Sequence, residues 1–193
     1  MPVIAITGGI GSGKSVVSRI LAAMGYPVYD CDSRAKALMD ADEAIKRRLI
    51  EEISETTVDA DGVIHRRELS RIVFADALML ERLNAIVHAA VRADLLAWTE
   101  SLGERLCFVE TAILYQSGLN RIVDEEWEVT APTDIRIARV MKRNSCTRAQ
   151  VEARIASQAY DIPENEPRPR RTVVVNDGIT PLLPRIVSLL GVG

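Results

Sequence analysis

The chain is short of cysteine. The three it has, Cys31, Cys107 and Cys146, are odd in number and far apart, with no Cys-x-x-Cys pair. That spacing argues against a disulfide framework or a structural zinc site and fits a reducing compartment, so a cytoplasmic location is expected. Charge of one sign is also lacking: 24 basic against 27 acidic side chains leave a formal net charge of −3. A slightly acidic chain is not built to coat nucleic acid or an anionic membrane, and neither partner is expected. No apolar run approaches the roughly 18 residues that a membrane span requires. Met1-Pro2 leads straight into an apolar segment, so no secretory leader is expected. Internal repeats are absent, as is Asn-Lys-x-Asp, the guanine-reading motif of a GTPase switch. What is left, 48% hydrophobic and 26% charged over 193 residues, suits a single α/β domain with room for an insertion or two.

One stretch carries recognisable chemistry. Val3 to Ile6 read as a buried strand, Val16, Val17, Ile20, Leu21 and Met24 as a helix, and Thr7-Gly8-Gly9-Ile10-Gly11-Ser12-Gly13-Lys14-Ser15 joins them. Gly8, Gly13, Lys14 and Ser15 satisfy G-x-x-x-x-G-K-[ST]. Glycines let the backbone turn successive N–H groups around a phosphate, and a helix start favours the same anion. Lys14 then reaches the β- and γ-phosphates, and the Ser15 hydroxyl is placed for Mg2+. A plain connecting turn is the alternative, but it needs neither the Lys-Ser pair nor the strand–turn–helix setting. Gly8, Gly9, Gly11, Ser12, Gly13, Lys14, Ser15 and Val16 are therefore read as a nucleotide-phosphate site.

Further candidates follow along the chain. Pro27 to Tyr29 predict a second strand, ending in Asp30-Cys31-Asp32; in extended chain both carboxylates face one way. They can orient or deprotonate an acceptor hydroxyl or hold magnesium water, or one simply caps the next helix. Residues 33 to about 103 read as mostly helical, with one helix over 34–54, breakers at Asp59 to Gly62, and a long helix carrying Leu80, Leu83, Val87, Val91, Leu95, Trp98 and Leu102 as core. His88, beside that stripe, is either a packed or a ligand-binding histidine. Lys46-Arg47-Arg48 and His65-Arg66-Arg67 read as solvated faces. Leu106 to Val109 predict a strand closed by Glu110, a position from which a carboxylate joins a magnesium shell through water. Trp127 to Thr130 predict a fourth strand. The helix after it bears Arg136, Arg139 and Arg143 on one face: a solvated ridge, or a clamp for polyphosphate. Thr147 to Gln150 form a capping box, and Arg154 and Gln158 lie one turn apart, able to close over a nucleotide. Asp161 to Arg171 read as a proline-rich loop and Thr172 to Val175 as the last strand. Asn176-Asp177-Gly178 turns the chain, and Thr180 and Pro181 are expected as cap and first residue of a terminal helix. The expected organisation is a core of 1–32, 104–135 and 172–193, a helical acceptor region over 33–103 and a lid over 136–171.

Taken together these motifs resemble the dephospho-CoA kinases nearly end to end. The phosphate loop, Asp30-Cys31-Asp32, Arg139 to Arg143, Arg154 to Gln158 and Val175 to Gly178 each match a stretch of that family's pattern. The resemblance implies a P-loop NTPase fold like that of the nucleoside monophosphate kinases: a parallel five-stranded sheet flanked by helices, with a helical substrate insertion and a small lid. It implies ATP-dependent phosphorylation of the 3′-hydroxyl of dephospho-CoA, with ATP and Mg2+ required. Asp32 would be the base, Lys14, Arg139 and Arg143 the catalytic cations, and Asn176 a neighbour of the adenine. His88, Arg154 and Gln158 would bind substrate, in a monomer or weak homo-oligomer. Three stretches depart from the family pattern: Ala89 replaces a proline, Ala112 to Gln116 replace Pro-Leu-Leu-Phe-Glu, and Glu164 to Pro169 lack a lysine. Two other readings stay open, a P-loop kinase for another small acceptor and a nucleotide-dependent switch.

Overall fold

The computed structural model describes residues 2–158 and 162–191; Asp161, the expected first residue of the proline-rich loop, lies outside them. Five strands form one sheet in the order β2-β3-β1-β4-β5: β1 (Val3–Thr7), β2 (Val28–Asp30), β3 (Cys107–Glu110), β4 (Glu125–Thr130) and β5 (Arg170–Val175). All five residues of β1 are buried, as a central parallel strand covered on both faces requires, and its unbroken apolar run follows from that. β1 pairs in parallel with β3 (Ile4 with Phe108) and with β4 (Ile6 with Trp127), and β4 pairs in parallel with β5. The outer β5 is tied to β4 by ion pairs as well as by its ladder. Arg170 donates to Glu125 at 2.6 Å, and Arg171 pairs with Glu128, two places along from its register partner Glu126.

Helix α1 (Lys14–Ala23) packs Val17 and Leu21 into a core with Ile4, Ile6, Phe108, Trp127, Val174 and Ile186 of α8 (Leu182–Leu190). Phe108 lies at the centre of an aromatic run, edge-on to Tyr26 and tilted on Trp127. Helices α6 (Thr133–Asn144) and α7 (Arg148–Ser157) bury Ile137, Val140 and Val151 in a small core of their own. The capping box expected at Thr147 and Gln150 is present at the start of α7.

The described residues divide into two compact units, Asp30–Leu102 and the remainder. Within Asp30–Leu102 run α2 (Cys31–Ala41), α3 (Glu43–Glu52), α4 (Arg66–Ala75) and α5 (Ala77–Ser101). Ile45, Leu49, Leu69, Val73 and Ile86 form its apolar core. The expected single helix over 34–54 is two helices. Asp42 takes extended dihedrals between them and accepts the Ala44 N–H, so a cap interrupts an apolar period that would otherwise run on. The terminal helix also differs from expectation. Thr180 does not cap it; its hydroxyl and N–H both donate to Asp177, whose carboxylate closes the preceding turn, and Pro181 stands outside α8 as its N-cap. Among the described residues no helix is long and apolar enough to cross a membrane, and the three cysteines are free thiols.

Candidate active site

The loop that follows β1 sits at the carboxyl end of the central strand, where parallel α/β sheets present their ligand sites. Gly8 has φ +133, and a Cβ there would collide with the Val129 carbonyl of β4. Gly13, at φ +98, is the N-cap of α1, and a Cβ there would strike the Asn176 amide. Only glycine lets the loop bend this tightly against β4 and Asn176. The Lys14 ammonium donates to the Gly8 carbonyl at 2.7 Å, reaching back across the loop. α1 has neither a side-chain cap nor an acid in its first turn, so its orphan N–H groups and positive dipole end are left for an anion. Ser12 is 1% exposed, and its hydroxyl oxygen has no hydrogen-bond partner. A backbone cradle with an ammonium across it and a hydroxyl residue, Ser15, at the helix start fits a polyphosphate and its Mg2+.

Side chains from three later elements close on this loop. Asn176, which follows β5, is 7% exposed; its amide donates to the Ser12 carbonyl at 2.8 Å and accepts from Arg139 at 3.2 Å. From α6, Arg136 donates to the Ile10 carbonyl at 2.9 Å, and Arg139 donates to the carbonyls of Gly11 and Ser12. From the end of α7, Gln158 accepts the Ile10 N–H at 2.6 Å. Of the arginine ridge, then, Arg136 and Arg139 lie against the loop. Arg143 sits in the last turn of α6, exposed, donating to Asn144, where a cation also complements the helix dipole. Arg154 is exposed on α7, one turn before Gln158.

The acidic candidates separate in role. Asp30 and Asp32 are not both in extended chain. Asp30 is the N-cap of α2 and accepts from the N–H groups of Asp32 and Ser33 and from the Ser33 hydroxyl, while Asp32 is helical with an exposed side chain. Asp30 keeps extended dihedrals as the cap while the chain turns helical from Cys31, so the pair splits into one structural and one solvent-facing carboxylate. Glu110 ends β3, partly buried, with Ile6 as its register partner on β1. His88 is half-buried on α5; burial, and then the nearby Arg92 charge, hold its imidazole below the ordinary value, favouring the neutral ring.

One feature of the site has no counterpart among the expected residues. Glu126 of β4 is 5% exposed and accepts from the Thr7 hydroxyl at 2.6 Å and from the Tyr115 hydroxyl at 2.9 Å. Burial, together with this carboxylate, pushes the Tyr115 phenol up to about 12. The three residues wall a cavity of about 160 Å³ shared with Gly8, Gly9, Gln116 and Gln158. The available signal was the alternation in Glu-Trp-Glu-Val, which sets Glu126 and Glu128 on one face of a strand. Gln116, where the family pattern has glutamate, thus lines a cavity beside the phosphate loop. The departing stretch Glu164 to Pro169 is anchored: Glu166 accepts from Asn120 at 2.7 Å and from Arg121 at 3.1 Å.

A parallel sheet in this strand order, its central strand running into such a loop, is the frame of the P-loop NTPases, and here an arginine-bearing helix lies against that loop. The dephospho-CoA kinase family model matches residues 2–181. The chain is 41% identical to a dephospho-CoA kinase of Porphyromonas gingivalis over 158 residues, covering 82% of this chain and 78% of that one. With one from Bacteroides fragilis the identity is 36% over 189 residues, 97% of this chain and 90% of the relative. A crystal structure of a Thermus thermophilus protein superposes with a TM-score of 0.76 at 35% identity, over 98% of this chain and 95% of that one. The chain belongs to the dephospho-CoA kinase family, and is a kinase.

Proposed function

We propose that the chain transfers the γ-phosphoryl group of ATP to the 3′-hydroxyl of dephospho-CoA, giving CoA and ADP. The observation that carries this reading is the glycine cradle crossed by Lys14 and flanked by Arg139, in a chain of this family. The ATP phosphates lie along Gly8, Gly9, Gly11, Ser12, Gly13 and the start of α1 at Lys14, Ser15 and Val16, with Lys14 on the β/γ oxygens and Asn176 toward the adenine. Bound Mg2+ would neutralise phosphate charge; Ser15 would hold it directly and Glu110 through water. Asp32 orients the acceptor hydroxyl and accepts its proton as that oxygen bonds to the γ-phosphorus and the bond to the bridging β–γ oxygen breaks. Arg139 stabilises the charge that develops, joined by Arg143 when its side chain turns inward. His88, Arg154 and Gln158 serve the substrates, His88 as a neutral hydrogen-bonding group. No covalent intermediate is needed, because positioning and electrostatics carry phosphoryl transfer. The enzyme works in the cytoplasm, as a monomer or weak homo-oligomer, without nucleic acid or membrane.

The test is ADP release from Mg-ATP with and without dephospho-CoA, with the product weighed by mass spectrometry. Acceptor-dependent ADP and a mass gain of one phosphate are expected. ATP bound but no CoA formed would move the acceptor to another small molecule. Fast hydrolysis without acceptor would point to a switch.

A further inference from the structure

Ile10 is out of place in a phosphate loop. Every other residue from Gly8 to Gly13 is glycine or serine, as close approach to a phosphate demands, yet here a branched apolar side chain occupies the tip. Nothing in the phosphate motif asks for it. All three of its groups are engaged by the two helices beyond β4. Its N–H donates to Gln158 at the end of α7 at 2.6 Å, and its carbonyl accepts from Arg136 of α6 at 2.9 Å. Its side chain packs against Ile137, Val140 and Val151, in the core that α6 and α7 form between themselves. The neighbouring residue fits as closely: a Cβ at Gly11 would run into the Arg136 carbonyl and the Val140 methyl. The loop tip is therefore a component of the α6–α7 core. Arg139 lies on the same helix, one turn from Arg136, and donates to the Gly11 and Ser12 carbonyls.

We propose that Ile10 is a positioning residue: seated between α6 and α7, it fixes α6 in register on the phosphate loop and so places Arg139 at the nucleotide. It touches no reacting atom. Without it the cradle amides and Arg139 would all still be present, but the guanidinium would no longer be held where phosphate charge lies. In the other direction, nucleotide that orders the loop tip would steady the two helices through the same residue. This inference rests on the phosphate-site reading but not on the identity of the acceptor, because nucleotide binding alone reports it.

The experiment is a double-mutant cycle on Mg-ATP binding, measured by titration calorimetry without acceptor, with melting temperatures recorded for each variant. Arg139→Ala alone and Ile10→Ala alone should each weaken ATP binding about ten-fold, and the double variant little more than either, because Arg139 is already displaced once Ile10 is lost. Ile10→Val, which keeps a branched side chain, should recover most of the affinity. A merely structural Ile10 would lower the melting temperature and leave the Arg139 effect intact. Independent losses that multiply to about a hundred-fold would overturn the proposal. If Ile10→Ala does not fold, Ile10→Thr, which keeps the branch but sets a hydroxyl against the apolar α6–α7 core, completes the same cycle, with sub-multiplicative loss expected and multiplicative loss overturning it. A folded wild-type chain that fails to bind ATP at all would instead overturn the phosphate-site reading beneath it.

Discussion

The phosphate loop and the helical unit Asp30–Leu102 are held together in different ways. Around the loop, position is set by backbone groups with named partners: carbonyls of Gly8, Ile10, Gly11 and Ser12 accept from Lys14, Arg136, Arg139 and Asn176. In the helical unit, position is set by apolar side chains such as Ile45, Leu49, Leu69 and Ile86, with ion pairs such as Arg34–Asp94 on the outside. Directional bonds tolerate little change of shape, whereas an apolar core accepts substitutions that keep its volume. Damage to the loop should therefore appear in chemistry, and damage to the helical core in stability.

The sharpest test of that contrast is Lys14→Ala. Turnover should fall at least ~100-fold, because a preorganised cation aimed at phosphate charge is lost, while the melting temperature barely moves; a large loss of stability would break the distinction. Asp32→Asn is the informative exception, a residue of the helical unit with a proposed chemical role. It is exposed, so stability should stay within about 1 kcal/mol while kcat drops at least ~100-fold. Near-normal turnover would remove it as the base. Leu49→Ala, at a fully buried position, should cost about 2–5 kcal/mol of unfolding free energy in urea titrations and leave KM for ATP unchanged. The smallest effect concerns Glu166, whose hydrogen bonds and ion pairing, from Arg121 first and then Asn120, hold its carboxyl below its ordinary 4.5. A carboxylate lowered on folding stabilises the native state above that ordinary value and ceases to do so as pH falls through its folded one. Glu166→Gln should thus lower stability at neutral pH and lose less than the wild type on acidification below pH 4.5.

The phosphate loop was legible because its chemistry restricts residue type at fixed spacing, and β1 and most of β3 because buried parallel strands are continuously apolar. β4 and β5 begin two residues before their expected apolar stretches, at the charged Glu125 and Arg170. The cap at Asp42 was not legible, because Ile45 and Leu49 continue a helical period across it. A helical wheel puts Arg136, Arg139 and Arg143 on one face, but it cannot say where along the helix the loop crosses; a turn of about 5.4 Å decides which two arginines meet it. The roles of Glu126, beyond the alternation that sets it on one strand face with Glu128, and of Ile10 were hidden for a shared reason. Each matters through partners distant in sequence, Thr7 and Tyr115 for one and α6 and α7 for the other, and no local pattern records such partners.

The ion pairs on β5 have a consequence for how the chain behaves among its own copies. β5 is an outer strand of the sheet, and its Val173 and Val175 are 43% and 48% exposed. An outer strand with bare valines is a template onto which a second strand can add. Arg170 and Arg171 stand at the opening of that strand, so an incoming copy meets two guanidinium groups before it reaches the valines. Charge on an outer strand is a common means of discouraging edge-to-edge pairing, so two residues outside the proposed chemistry bear on how copies of the chain meet.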